Sequence, residues 1–221
     1  MSAQSPNAPA VQMPSSMRMI RLMGIVSLVC GLLIVITYRG TLTAIGHNQE
    51  TLTKEAVSEL LPGMEKQVVY AVDAGELKVQ QGVDGVLPKI FAGYDSSGKL
   101  LGVVMEASDR GYADVIKAMY AYSPSKRSVI GFKVVELKET PGLGDKIVSD
   151  KGFLKNFKEL LFDPAHAIVT VKAGTKKNKW EIDAISGATI SSRAVGRMLN
   201  KSTREMAPLI DKNLGRIEKG E

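Results

Sequence analysis

Hydrophobic and polar positions divide this chain into stretches of plainly different character. Residues 1–17 are polar, contain proline and show no periodicity, which predicts a disordered tail. From Leu22 to Tyr38 the chain then runs LMGIVSLVCGLLIVITY without a charge. At ~1.5 Å rise per residue such a run nearly crosses a ~30 Å hydrocarbon layer. Further on, Leu52, Ala56, Leu60 and Leu61 recur at helical spacing, with Asn48 as the expected cap and Pro62-Gly63 as the stop. Short β-rich runs follow at Val68–Val72, Leu77–Gln80, Val86–Tyr94 and Leu100–Ala107, the last two joined by the turn Asp95-Ser96-Ser97-Gly98. Val115–Tyr122 and Ser128–Glu136 predict a second hairpin around Pro124. A short helix is expected over Phe153, Leu154, Phe157, Leu160 and Leu161, and a third strand pair from Ile168–Lys172 and Lys179–Ile185. The chain closes on a long helix with Val195, Met198, Leu199, Ser202, Met206, Leu209 and Ile210 on one stripe.

Strand pairs followed by separate helices predict an α+β fold: one N-terminal transmembrane helix, then one domain of antiparallel strand pairs packed with helices. The expected boundaries are a disordered cytoplasmic tail at 1–17, an anchor at 18–39, a membrane-proximal helical linker at 40–63 and a folded domain at 64–221. Arg18 and Arg21 precede the span, so the positive-inside tendency puts the N-terminus in the cytoplasm and the domain on the periplasmic or extracellular side. A cleaved signal peptide would share the basic start and apolar run, but no small-x-small cleavage site follows at residues 39–44.

Composition narrows the chemistry. The single cysteine, Cys30, excludes an intramolecular disulfide, zinc ribbons and iron–sulfur ligation within the chain. Two histidines, His47 and His166, far apart in sequence, argue against a metal site. Redox chemistry here would therefore need an organic cofactor. The net charge is +6, yet beyond residue 39 the balance is 26 basic against 23 acidic residues, and the Lys176-Lys177-x-Lys179 group reads as a solvated turn. Nucleic-acid binding is not expected.

Asp183-Ala184-Ile185-Ser186-Gly187-Ala188-Thr189 lies between an expected strand and the final helix. Small residues allow close backbone approach, and a helix start offers free N–H groups to a phosphate, although a Ser or Thr cap needs no ligand. Thr189, Ser191 and Ser192 supply hydroxyls. As nucleophiles, Ser186, Ser191 and Ser192 would need a base that neither His47 nor His166 is placed to provide, and Lys146 has no S-x-x-K spacing.

The segment D-A-I-S-G-A-T resembles the flavinylation motif D-x-x-[ST]-G-A-[ST] of FMN-binding domains, in which a flavin transferase joins the FMN phosphate to the last hydroxyl. The resemblance implies covalent FMN in phosphoester linkage to Thr189, making the chain a phosphoprotein, with Asp183, Ser186, Gly187 and Ala188 as recognition residues. Glu139-Thr140-Pro141-Gly142-Leu143-Gly144 is similar to the family's loop against the isoalloxazine ring, which adds Glu139, Thr140, Leu143 and Gly144. Gly111-Tyr112 resembles the start of its G-Y-G-G segment, with Ala113 and Asp114 where glycines are usual.

With its anchor, the chain resembles the G subunits of Rnf-type (Rsx) electron-transport complexes. This implies a redox-carrier subunit, not a stand-alone enzyme, that passes electrons between neighbouring membrane subunits of an ion-translocating ferredoxin:NAD oxidoreductase. The alternatives are the equivalent C subunit of the sodium-translocating NADH:quinone reductase and an anchored non-redox scaffold.

Overall fold

The computed structural model describes residues 16–73, 75–80, 87–163 and 165–220. Most of the expected polar tail, and the expected strand start at Val86, lie outside these residues. The chain divides into two compact units, one ending at Asn48 and the other beginning at Gln49.

Helix α1 spans Ser16–Leu60. Its portion Ser16–Leu42 has a mean hydropathy of 2.6 in its most apolar window and is long and apolar enough to cross a membrane. Leu22, Leu28 and Ile34 there are exposed, as side chains meant for lipid would be. The expected helix start at Asn48 does not occur, because the backbone continues helical through Gly46, His47 and Asn48. Each costs only ~0.5–1 kcal/mol in helix propensity, too little to break an established ladder. The stop does occur: α1 ends at Leu60, ahead of Pro62 and of Gly63 at φ 84°.

The second unit is built on a seven-stranded antiparallel sheet in the order β2-β1-β3-β4-β5-β6-β7. Its strands are β1 (Lys66–Asp73), β2 (Glu76–Gln80), β3 (Lys89–Tyr94), β4 (Leu100–Arg110), β5 (Val115–Ser123), β6 (Ser128–Glu136) and β7 (Leu160–Leu161). Both faces are covered, which explains why β3 and β5 read as nearly unbroken apolar runs. Alternate residues divide between two cores. Ile90, Ala92, Val103, Met105, Ala118, Tyr120 and Tyr122 join the larger one with helix α4 (Thr189–Lys212), which also buries Val195, Met198 and Leu199. Phe91, Val104, Met119 and Ala121 face a smaller core closed by Ala56, Val57, Leu60 and Leu61 from the end of α1.

Two expectations change in the connecting region. Within the segment read as one helix over 153–161, α3 (Lys151–Lys155), itself preceded by the short α2 (Lys146–Ser149), gives way to a single 3₁₀ turn, Asn156–Lys158. Leu160 and Leu161 leave the helix and pair with Val129 and Ser128 as edge strand β7. The last strand pair, β8 (Val169–Val171) and β9 (Glu181–Asp183), is parallel instead of antiparallel and forms its own small sheet. A short helix α5 (Leu214–Lys219) ends the fold, and the Tyr94 hydroxyl donates to the Ile217 carbonyl across the core.

Candidate functional site

The segment 183–192 is shaped by its own hydrogen bonds. Ile185 to Ala188 form a tight turn in which the Ala188 N–H donates to the Ile185 carbonyl at 3.1 Å. The third turn position requires a positive φ, and Gly187 supplies it at 83°. The buried Ser192 hydroxyl staples the turn, accepting from the Ile185 N–H at 3.1 Å and donating to the Ala188 carbonyl at 2.9 Å. Ala188 is buried and precedes α4 without a side-chain cap, so the alternative in which a Ser or Thr caps this helix is not what forms.

The four hydroxyls of this stretch thus differ. Ser191 and Ser192 are buried and hydrogen-bonded. Ser186 is exposed and Thr189 half-buried, and neither side-chain hydroxyl has a hydrogen-bond partner among the described residues.

The loop at 139–144 is a second preformed turn. The Leu143 N–H donates to the Thr140 carbonyl at 3.2 Å, with Pro141 and Gly142 (φ 77°) in the positions where proline and glycine suit a type II turn. Glu139, immediately before it, is half-buried and joins three separate segments. Its Oε1 accepts from the Ala113 N–H at 3.1 Å, and its Oε2 accepts from the Ser191 hydroxyl at 2.8 Å. The same two oxygens fill the space beside two glycines: a Cβ on Gly111 would lie 2.2 Å from Oε1, and one on Gly144 would lie 2.2 Å from Oε2. Beyond Gly111, Arg197 of α4 fastens the end of β4, donating from Nε to Asp109 at 2.7 Å and from Nη2 to the Arg110 carbonyl at 2.9 Å.

Gly111, Glu139 and Gly144 therefore meet around one carboxylate, with Ser191 as a partner that the sequence did not single out for this role. Each contact carries an exposed apolar neighbour in the chain: Tyr112, Leu143 and Ile190 are 65%, 48% and 50% exposed. Such exposed apolar side chains around the Glu139 cluster, with Thr189 just before Ile190 in the chain and its hydroxyl without a hydrogen-bond partner among the described residues, are what a flat, mostly apolar ligand at this site would cover. The residues present fit FMN in this sense.

Asp183 serves another neighbourhood. Its Oδ1 accepts from the Gly174 and Thr175 N–H groups at 2.8 and 3.3 Å, holding the turn after β8. Its backbone is matched by the buried Asn156, whose Nδ2 donates to the Asp183 carbonyl and whose Oδ1 accepts from the Asp183 N–H, both at 3.1 Å. Asn156 Oδ1 also accepts from Lys176 at 3.0 Å, and burial holds the Lys176 ammonium below the usual lysine range. Asn156 had no signal in the sequence, since nothing local marks an asparagine that satisfies a distant strand. A concavity of about 620 Å³ opens here, lined by Lys155, Lys158, Lys176, Lys177 and Lys179 with Glu159, and it shares no lining residue with the Glu139 site. His166 lies outside both, exposed, stacked on Trp180 at 4.2 Å and paired with Asp163 at 2.9 Å.

Comparison with known proteins identifies the family. The family of FMN-binding domains matches residues 111–204, which include all three segments that meet at Glu139. The G subunit of the ion-translocating oxidoreductase complex of Methanosarcina acetivorans is 32% identical over 78% of this chain and 85% of its own length. The G subunit of the Na(+)-translocating ferredoxin:NAD(+) oxidoreductase complex of Acetobacterium woodii is 31% identical over 70% of this chain and 69% of its own. Among solved structures, NqrC of Shewanella oneidensis shares the fold with a TM-score of 0.56 at 24% identity, over 72% of this chain and 87% of that one. The chain belongs to the family of G subunits of ion-translocating (Rnf-type) oxidoreductase complexes, electron-transfer subunits built on an FMN-binding domain.

Proposed function

We propose that the chain carries FMN in phosphoester linkage to Thr189 and relays electrons for an ion-translocating ferredoxin:NAD oxidoreductase complex. The observation that carries this reading is the contrast among the four hydroxyls of 186–192. Ser191 and Ser192 are buried and bonded, whereas Thr189, at the last position of the flavinylation pattern, is half-buried and its hydroxyl has no hydrogen-bond partner among the described residues. Bound there, FMN supplies one- and two-electron redox chemistry that no side chain of this chain can. The chain's own residues hold and shelter it. The turns at 140–143 and 185–188 are held by the chain's own backbone bonds. Tyr112, Leu143 and Ile190 offer apolar surface on the segments that meet at Glu139, and burial of part of that surface favours the ring's seating.

The remaining assignments follow from the same reading. A flavin transferase installs the cofactor during maturation, and the other membrane subunits of the complex are the electron partners. The apolar part of α1 anchors the chain as a single-pass protein of the cytoplasmic membrane, with Arg18 and Arg21 inside and the FMN-binding domain outside. Tethering keeps the flavin near its partners and raises its effective concentration there.

The test is in-gel flavin fluorescence after denaturing electrophoresis of the full chain made with a flavin transferase. Wild type and Ser191→Ala are expected to fluoresce, and Thr189→Ala is expected to be dark. A dark wild-type band, with the transferase active on a known substrate, would refute covalent attachment. A fluorescent Thr189→Ala band would move the attachment to another hydroxyl, with Ser186 the next to be substituted.

A further inference from the structure

We propose that Glu139 is the positioning residue that assembles the flavin site, and that it acts through its reach and not through its charge. This rests on reading the Thr189 surroundings as the flavin site. Three segments must converge there: the loop after β4, the loop after β6 and the start of α4. Among the described residues, the two bonds of the Glu139 carboxylate are the only side-chain hydrogen bonds that join any two of these segments. Lys138 and Asp114 also face each other across the first two, but at 4.0 Å and in solvent, where an ion pair fixes little. One carboxylate thereby ties together the segments that carry Tyr112, Leu143 and Ile190, each of which adjoins a residue in contact with it, while Arg197 holds α4 to the end of β4 just before Gly111.

The two glycines show how closely the fit is drawn. At Gly111 and Gly144 the place of a Cβ lies 2.2 Å from a carboxylate oxygen, far inside ordinary contact. The side chain of Glu139 is thus seated in two glycine gaps, and those glycines answer to a neighbouring side chain. The same geometry accounts for Ala113 standing where a glycine is usual. Residue 113 takes part through its N–H alone, and its side chain is exposed. Both carboxylate oxygens are engaged by the protein, so Glu139 braces the site from behind the surface that the ring would cover.

Reach and charge are separable. Glutamine keeps the length, its carbonyl still accepting from the Ala113 N–H and its amide able to donate to the Ser191 hydroxyl. Aspartate keeps the charge but is one methylene short of spanning both donors. The experiment uses the full chain in detergent as wild type, Glu139→Gln, Glu139→Asp and Glu139→Ala. One readout is peptide-resolved hydrogen exchange over residues 110–115 on protein made without a flavin transferase. The other is flavin per chain and visible circular dichroism on protein made with one.

Glu139→Gln is expected to exchange within about threefold of wild type and to give the wild-type flavin spectrum. Glu139→Asp and Glu139→Ala should exchange at least about tenfold faster, roughly 1.4 kcal/mol or more, as expected for losing a hydrogen bond to a charged group. Their flavin dichroism should be weakened, with exchange over 116–122 in the buried strand unchanged. Wild-type behaviour of the aspartate with alanine-like behaviour of the glutamine would overturn the proposal in favour of charge. Wild-type exchange in all three would overturn it altogether. If the alanine variant fails to fold, the glutamine and aspartate pair still decides. If the wild type acquires no flavin but the exchange order holds, the flavin reading fails and the brace stands.

Discussion

Replacing Gly144 by alanine tests the packing around Glu139 most directly. The new Cβ would lie 2.2 Å from Glu139 Oε2, 2.8 Å from the Ser191 hydroxyl and 2.9 Å from Glu139 Cβ. Ordinary contact begins at 3.4 Å, so the carboxylate must retreat by about 1 Å. It cannot do so while accepting from Ser191 at 2.8 Å and from the Ala113 N–H at 3.1 Å. Losing a hydrogen bond to a charged group costs about 1.5–3 kcal/mol, and overpacking adds about 1–3 kcal/mol. Gly144→Ala is therefore expected to destabilise the protein by about 3–5 kcal/mol in urea denaturation of the full chain in detergent. In a Glu139→Ala background the carboxylate is gone, but the Cβ of residue 139 at 2.9 Å and the Ser191 hydroxyl at 2.8 Å still crowd the new methyl, so the same substitution should cost about 1–2 kcal/mol. The resulting coupling, about 2 kcal/mol, is the size expected for residues in direct contact. Equal costs in the two backgrounds would refute the argument, because the penalty would then arise from the Ser191 and residue-139 Cβ contacts and not from the carboxylate.

Gly187→Ala should cost about 1–2 kcal/mol for a different reason. Its φ is 83° but nothing lies within 4 Å of an added Cβ, so Gly187→Asn should recover part of the loss, and urea midpoints of the two variants check this. Asn156→Ala removes partners from the Asp183 N–H and carbonyl and from the Phe153 carbonyl, so a loss of about 3 kcal/mol or more is expected by the same assay. Burial raises the hydroxyl pKa of Tyr94 and Tyr120 and pushes that of Tyr122 up to about 12. A raised folded-state pKa means full stability below the unfolded value of ~10 and loss above it, so urea midpoints should fall as pH rises from about 10 to 12, less steeply in Tyr122→Phe. Chains starting at Gln49 should fold as a soluble domain, whereas chains starting at Met64 lose Ala56, Val57, Leu60 and Leu61 from the smaller core. At ~1.5–3 kcal/mol for each large side chain, the second truncation should aggregate or unfold at much lower urea.

The strands were legible because local pattern and tertiary role agree in them. Val115–Tyr122 and Ser128–Glu136 emerge within one residue of expectation, since the Pro124 turn and dense β-branched and aromatic positions leave no competing element. Leu160-Leu161 went the other way. Two leucines continue a helical stripe and an edge strand equally well, and the decision lay in the free edge of β6, about thirty residues away in sequence. The parallel direction of β8 and β9 likewise depends on how the chain returns between Val171 and Glu181, which no periodicity encodes. Asn48 shows the opposite limit: a good cap residue caps nothing when the preceding turn is already helical.

In the site, short-range pattern located the parts but not what joins them. Both turns were readable, because Pro141-Gly142 and Gly187 meet dihedral demands set within four residues. Gly111 and Gly144 look the same in sequence, yet the structure gives them a different reason. Neither has a positive φ, and each is small because an oxygen of Glu139 occupies the place of its Cβ. A glycine required by its own backbone should tolerate asparagine better than alanine. A glycine required by a neighbour's side chain should tolerate alanine only once that neighbour is shortened. Gly187 and Gly144 stand on the two sides of that distinction, and Ser191 is bound to the second side, since its hydroxyl has value only while Glu139 is there to accept from it. The flavinylation pattern ends at Thr189, but the unit that shapes the site extends to Ser191 and across the fold to residue 139.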